Sequence, residues 1–457
     1  MIGAGAAGIS ASIDLANAGI RVTLVEARDR IGGRIFTIQD PVHAVPVELG
    51  AEFIHGRPPQ IVDLLQSASV PITEVDGDNW CAEENRLAPC DFSSDVDEIL
   101  QQLNPQNKDQ SFRDFLKTYA GAGDKGRRRQ HAEQWATSYV SGFNAADPAL
   151  VGVHWLWQGL RADEKIEGDR SFRALRGYAD LIEIFQRQLQ KSGVVVHKNT
   201  AVHSVQWRPG RVDIAASSPS GTQTLSAPRT LITVPLGVLQ ARPDDNGAIR
   251  FFPELPEKKQ AAIRDIEMGK VIRLTLRFRE RFWANLPRTP NPRCKNMNMN
   301  EMSFLLSHDD WFPTWWTTSP NKTPFLVGWA PFQCANRLSG RTESFVVERG
   351  IATLNRLLGV GEQELEDLLE YAYVHDWQSD PFARGAYSYG KAGESEAPRI
   401  LGMPIEGTLF FAGEATDVSG HTGTVHGAIA SGQRAAVEIH NSARSASGKI
   451  EGGRAAS

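Results

Sequence analysis

Cysteine is scarce in this 457-residue chain. Cys81, Cys90, Cys294 and Cys334 are all it has, and no two stand as C-x-x-C, so neither a zinc site nor a disulfide framework is indicated, and no metal is expected. No apolar run approaches the roughly 18 residues of a membrane span, and no stretch resembles a cleavable leader. Charge of one sign is missing too: 49 basic against 54 acidic side chains leave a net charge of −5. That balance offers no general attraction to nucleic acid or to an anionic membrane. On these grounds the cytoplasm is the expected location. One more shortage concerns the start. Only Met1 and Ile2 precede the first glycine turn, whereas a strand runs about five residues. This predicts a native start further upstream, and a leader lost with it would take its evidence along.

What the chain has is the composition of an ordinary globular protein, 41% hydrophobic and 23% charged, and enough length for two cores. Gly3-Ala4-Gly5-Ala6-Ala7-Gly8 reads G-x-G-x-x-G. A helix-spaced run to Ala18 follows, then the apolar strand Arg21 to Val25 ending on Glu26. In such a βαβ unit Gly3 permits the tight turn and Gly5 lets a pyrophosphate approach the backbone. Gly8 allows close packing, and the helix N-terminus offers free N–H groups to an anion. Glu26 stands near the spacing at which an acid accepts hydrogen bonds from a ribose. Beyond it, Glu26-Ala27-Arg28-Asp29-Arg30-Ile31-Gly32-Gly33-Arg34 adds a second glycine pair flanked by arginines, whose planar forks suit phosphate oxygens.

This pair of motifs resembles the signature of two-dinucleotide-binding-motif flavoproteins, which implies FAD rather than NAD. The rest of the chain resembles the flavin-containing amine oxidases of the monoamine and polyamine oxidase type. Gly50-Ala51-Glu52-Phe53-Ile54-His55-Gly56 is similar to the turn that passes the flavin ring in that family, and implies Phe53 and His55 on the substrate side. A loop histidine bonded to a carbonyl is the equal alternative for His55. The resemblance implies Val202 holding the adenine through its backbone. It places Trp377 in the stretch crossing in front of the flavin and Tyr387 as the aromatic that walls the substrate amine. Ala386 falls where covalently flavinylated relatives carry cysteine, implying non-covalent FAD. Gly413, Glu414, Thr424 and Val425 fall at the C-terminal cofactor contact, together with Ala7, Ala27, Gly50, Ala51 and Glu52 from the first block. Arg273, ten residues before Trp283, falls where most of the family carry a lysine near flavin N5. Lys270, three residues earlier on a strand, points to the other face. A charge fixed on arginine puts rapid reoxidation by O₂ in question more than flavin binding.

Between these landmarks, Gln60–Ser67 and Val96–Leu103 read as helices, and the basic run Lys125–Arg129 as a solvated face. Val202–Trp207 and Arg211–Ala215 alternate with period two about Pro209-Gly210 and read as a hairpin. Val271–Phe278 reads as a strand; Ala261–Glu267, Phe345–Leu358 and Glu362–Glu370 read as helices. Trp316, in a cluster of three tryptophans, suits a pocket wall. The expected fold is α/β: a Rossmann-like FAD-binding domain from 1–56, 172–250 and 380–440, with a discontinuous α+β substrate domain from 57–171 and 251–379. A Ser/Gly/Ala-rich tail, 441–457, is expected to be disordered.

The activity implied is FAD-dependent oxidation of a small-molecule amine. Hydride passes from the α-carbon to flavin N5, the imine hydrolyses, and O₂ is reduced to H₂O₂. Arg273 and Tyr387 stand nearest the chemistry, with Phe53, His55, Trp316 and Thr424 as pocket wall. No acid–base residue is needed if the amine binds neutral. An FAD-dependent dehydrogenase or desaturase of an apolar substrate is one alternative. A non-catalytic protein with structural FAD is another.

Overall fold

The computed structural model describes residues 1–83, 86–119, 126–286 and 299–454. Its first layer is a parallel sheet built from short, largely apolar strands. Thr23–Val25 pairs with Val195–His197, and Thr230–Ile232 pairs with Leu409–Phe411, all in parallel. Ile2 joins the two halves by bridging to both Val25 and Ile232. Leu24, Leu231, Phe410 and Phe411 are fully buried, as expected where helices cover both faces of a parallel sheet. The helix Ala6–Asn17 after the glycine turn packs against the helices Ala179–Ser192 and Val425–Arg454. At the latter contact a Cβ on Gly432 would stand 2.2 Å from the Ala7 carbonyl oxygen. Only a bare backbone lets these two helices lie so close.

Beside this layer stands the expected hairpin, Ala201–Arg208 against Arg211–Ser218, extended by Gly221–Ala227 and by Arg250–Phe252 in parallel on the opposite edge. A separate seven-stranded sheet runs in the order Leu369–Asp376, Val271–Phe278, Phe325–Pro331, Thr314–Thr317, Met302–Ser307, Asp78–Glu83, Arg86–Pro89. Its strands bury a core centred on Trp283, Trp315, Leu274 and Leu326. Helices Phe92–Leu100, Phe112–Tyr119, Arg127–Gly142 and Val153–Asp163 form a further apolar cluster against Cys81 and Leu306 of that sheet.

Several expectations need correction. Cys81 and Cys90 form a disulfide across the Asp78–Pro89 hairpin, with Cα atoms 5.6 Å apart. Sequence spacing cannot show that a hairpin turn brings nine-residue neighbours face to face. Cys334 is free and half-buried, and Cys294 lies outside the described residues. The tail expected to be disordered from 441 is helical through Arg454; residues 455–457 lie outside the described set. A helix already anchored by packing propagates at little cost into an alanine-containing extension. The helix expected to reach Glu267 stops at Asp265, and Ile266–Met268 pairs instead with Ser388–Gly390. Likewise Leu369 and Glu370 belong to a strand. In both places ladder partners far away in sequence outcompete the local propensity. Of the basic run, Lys125 lies outside the described residues, while Arg128 is solvated and paired with Glu98.

Candidate active site

One cavity of about 1040 Å³ runs between the parallel sheet and the seven-stranded sheet. Of the candidate cofactor, catalytic and pocket residues named from the sequence, every one but Gly8 lines it. Gly8 lies beneath, where a Cβ would stand 2.0 Å from the Gly3 carbonyl oxygen; its task is packing. A Cβ on Gly5 would meet nothing within 4 Å, so the backbone of Ala4 to Ala6 borders open space at the mouth of the first helix. Gly33 comes up against Gly5 from the second motif, its ideal Cβ 3.2 Å from the Gly5 Cα. Gly3, Ala7, Ala27, Gly32, Gly50, Ala51 and Val202 complete this end. Glu26, 4% exposed, accepts hydrogen bonds from the Ala4 N–H at 2.8 Å and the Arg28 N–H at 3.0 Å. These bonds hold its carboxylate at the end of the strand Thr23–Val25.

The arginines arrive already partnered. Arg28 donates to both oxygens of Asp380 at 2.7 Å and lies over the rings of Phe382 and Trp377. Arg34 donates to Glu414 at 2.9 Å and to the Ala386 carbonyl at 2.7 Å. Glu414, buried, also accepts from the Ser388 hydroxyl at 2.6 Å and the Gly423 N–H at 3.1 Å. One carboxylate thus ties the second motif to the strand Ser388–Gly390, which Tyr387 immediately precedes, and to the turn before the last helix. Thr424 caps that helix: its Oγ1 accepts from the Gly427 N–H at 2.9 Å. Val425, the first helical residue, lines the cavity, and roughly half a positive charge sits at such a terminus. Near Gly413 an added Cβ would again meet nothing within 4 Å.

The far end is an aromatic box. Phe53 lies 5.5 Å from Trp316 and 6.0 Å from His55, and His55 lies edge-on to Phe143 at 5.1 Å. Tyr387 donates its hydroxyl hydrogen to the Phe143 carbonyl at 2.6 Å, and burial raises its phenol above the ordinary range. Burial lowers His55 to about 4, leaving a neutral imidazole. Trp377 fixes its indole on the Leu49 carbonyl at 2.8 Å and lies edge-on to His375.

Arg273 is buried on Val271–Phe278, in register with Trp329 and His375. Its guanidinium donates to the Gly50 carbonyl at 3.2 Å, pairs with Glu52 and lies over the Trp316 ring. Glu52 also holds Arg173 at 2.7 Å and accepts from the Trp316 indole at 3.0 Å. Desolvation opposes ionisation of Glu52, but the two guanidiniums outweigh it and lower its pKa. Lys270 points elsewhere, as strand parity requires: its ammonium donates to Asn336 at 3.0 Å. Sequence reading missed Phe143, Asp163, Trp329 and His426 on the same wall, and Arg173 behind it as the second partner of Glu52. Phe143 and Asp163 come from the helical stretch with no motif. Only its place two residues after Thr424 could have drawn attention to His426.

Whether this chamber fits a dinucleotide flavin is decided by its cradle. Gly5 and Gly413 leave backbone open where a Cβ would intrude, a buried acid ends the first strand, and a helix N-terminus faces the opposite end. The residues fit. A sequence profile described as flavin containing amine oxidoreductase matches residues 6–440. Polyamine oxidase 3 of Oryza sativa subsp. japonica is 26% identical over 96% of this chain and 88% of its own length. Two solved structures share the fold. Putrescine oxidase bound to putrescine has a TM-score of 0.76 at 18% identity, covering 96% of this chain and 98% of the other. Cyclohexylamine oxidase from Brevibacterium oxydans has a TM-score of 0.74 at 20% identity, covering 97% and 98%. With the profile spanning nearly the whole chain, this protein belongs to the flavin-containing amine oxidoreductases, and its cofactor is FAD.

Proposed function

We propose that this chain deaminates an amine oxidatively at the aromatic end of the cavity, removing a hydride from the α-carbon. The observation that carries the reading is the single chamber joining the dinucleotide cradle of Gly5, Glu26 and Gly33 to the box of Tyr387, His55, Phe53 and Trp316. Bound FAD supplies the hydride acceptor at N5, and its return to the oxidised state by O₂ gives H₂O₂. Gly3, Gly5, Gly32 and Gly33 would admit the pyrophosphate, Glu26 the ribose and Val202 the adenine; Val425 at its helix terminus would face the pyrimidine edge. Tyr387, fixed by the Phe143 carbonyl, offers a ring face to the amine, and an aromatic face attracts a cationic or partly charged nitrogen. The neutral imidazole of His55 adds no repulsion. Phe53, Trp316 and Thr424 exclude water, so the imine persists until it leaves the box and hydrolyses. Arg273 holds a fixed charge near the reacting end, which supports slow reoxidation by O₂.

The same reading assigns 1–56, 172–250 and 380–440 to the cofactor and 57–171 and 251–379 to the substrate. All strands of the parallel sheet fall in the first set and all strands of the seven-stranded sheet in the second. Arg250–Phe252 straddles one boundary. No helix among the described residues is long and apolar enough to cross a membrane. The Cys81–Cys90 bridge favours an oxidising compartment over the cytoplasm expected from the sequence.

The test is anaerobic mixing of the purified yellow protein with a panel of mono- and polyamines. Loss of the oxidised flavin band with at least one amine is expected, and H₂O₂ on admitting air. A colourless protein that refuses FAD, or a flavin band untouched by every amine, overturns the reading.

A further inference from the structure

Arginines on the chamber wall are matched with carboxylates of their own. Arg28 has Asp380, Arg34 has Glu414, Arg170 has Glu74 and Arg337 has Asp310. The exception lies behind the aromatic box, where Arg273 and Arg173 share the single carboxylate of Glu52. The side chains of Arg273, Arg173 and Glu52 are 4%, 13% and 8% exposed, too buried for salt to screen them well. Arg173 Nε and Nη2 take Glu52 Oε1 at 3.0 and 2.7 Å, which leaves Oε2 to Arg273 and to the Trp316 indole. Two cations against one anion leave one positive charge over.

Nothing nearby cancels that excess from behind. A small cavity of about 70 Å³ backs the cluster, and the only other ionisable side chain lining it is Glu48. Glu48 makes no ion pair with either arginine among the described residues. Burial raises its pKa to about 8, so at neutral pH it is largely protonated. Toward the chamber the guanidiniums lie over aromatic rings, Arg173 4.7 Å from the Phe53 ring and Arg273 5.3 Å from that of Trp316. An aromatic face attracts a cation but carries no charge to neutralise it. Arg273 itself reaches the chamber wall, and its buried Nε has no hydrogen-bond partner among the described residues.

A hydride brings one negative charge to the ring that accepts it. A buried positive charge beside that ring favours the reduced form, and its removal favours the oxidised one. We propose that Arg273, Glu52 and Arg173 act as one buried unit of net positive charge that raises the reduction potential of the bound flavin, with Arg173 supplying the excess from outside the chamber. This rests on the reading above, in which the reacting end of FAD lies beside Arg273. Arg173 is a positioning residue: it occupies one oxygen of Glu52, so the carboxylate cannot fully neutralise Arg273.

The experiment measures the two-electron potential of the FAD-loaded protein at neutral pH, without oxygen or amine, by equilibration with a reference dye. At the effective dielectric of about 20 that suits buried sites, one unit charge within about 10 Å changes an equilibrium by more than about tenfold. Arg173→Gln removes the excess charge. It should lower the ratio of reduced to oxidised flavin about tenfold or more at a given potential, a shift of about 30 mV. Arg173→Lys keeps the charge, loses the planar fork, and should stay within about threefold of the unaltered protein. Glu52→Gln adds to the net charge and should move the ratio about tenfold the other way, while Glu52→Asp should leave it in place. A purely structural Arg173 would make the lysine and glutamine variants shift alike, and that result overturns the proposal. So does a potential in Arg173→Gln or Glu52→Gln equal to that of the unaltered protein. Where one pair of variants fails to load FAD, the other pair decides by the same rule. Because no amine is present, the potentials decide this point whether or not an amine bleaches the flavin. A protein that bleaches with amine yet keeps one potential in every variant loses this inference alone.

Discussion

Two glycines of one motif meet opposite demands. Gly5 borders the cavity with nothing within 4 Å of an added Cβ, whereas a Cβ on Gly8 would stand 2.0 Å from a carbonyl oxygen. Gly5→Ala should therefore leave the apoprotein's melting temperature within about 2 °C, because nothing in the fold occupies that space. It should weaken FAD at least tenfold, the methyl group filling the approach to the pyrophosphate. Gly8→Ala should do the reverse in kind: overpacking against backbone costs about 1–3 kcal/mol or more, and the apoprotein itself should melt earlier. Thermal denaturation of both apoproteins with a fluorescence titration of FAD separates the two roles. Equal losses of apoprotein stability would refute the distinction.

At the scale of the element, the hairpin Asp78–Glu83 and Arg86–Pro89 lies at the edge of the seven-stranded sheet, with Asn79 on the cavity wall. Immediately after Cys90, Asp91 caps the helix Phe92–Leu100, which brings Phe92, Ser93, Val96 and Asp97 to the same wall. The disulfide therefore pins one side of the chamber as well as a sheet edge. A bridge closing a loop of this size stabilises by about 2–4 kcal/mol. Cys81→Ser with Cys90→Ser, or reduction of the native protein, should lower the melting temperature by several degrees and raise KM more than it changes kcat. An unchanged melting temperature would show that hairpin pairing alone holds the wall.

At the scale of the whole molecule, stability should depend on a buried acid. Glu48 joins the hairpin Thr37–Gln39/Pro46–Glu48 to the helix Ala179–Ser192, accepting from the Tyr178 N–H at 2.6 Å, with its other oxygen 2.7 Å from Thr37 Oγ1. Burial raises its pKa from 4.5 to about 8, outweighing those hydrogen bonds, with Glu52 adding to the rise and Arg273 opposing it. The folded chain thus holds a proton that the unfolded chain gives up between these values. Stability contributed by this group is complete below about pH 4.5, falls as pH climbs toward 8, and changes no further above it. Glu48→Gln mimics the protonated acid, its amide N–H₂ turned to Thr37. It should flatten the decline in melting temperature between pH 5 and pH 8. An identical pH slope in both proteins would locate that decline in another group.

The cofactor end was legible because a dinucleotide imposes short-range demands. Close approach needs glycine at set offsets, a ribose needs an acid at the end of the next strand, and an anion needs a helix N-terminus. All are local in sequence, and so Gly3, Gly5, Glu26, Gly32 and Gly33 could be named before any fold was known. Strand parity, equally local, separated Arg273 from Lys270. The aromatic box obeys no such spacing. Phe143, Asp163 and His426 meet across nearly 300 residues because a helical stretch with no motif folds over the box. Pairings made at a distance also decided what the arginines do: Arg28 is taken by Asp380, Arg34 by Glu414, and Arg273 by Glu52. The sequence by itself determined which cofactor the chain is built around, since that contact is made by consecutive residues. Only the tertiary structure decided which charges remain free and where a proton can rest, because burial and partnership are properties of the packed interior.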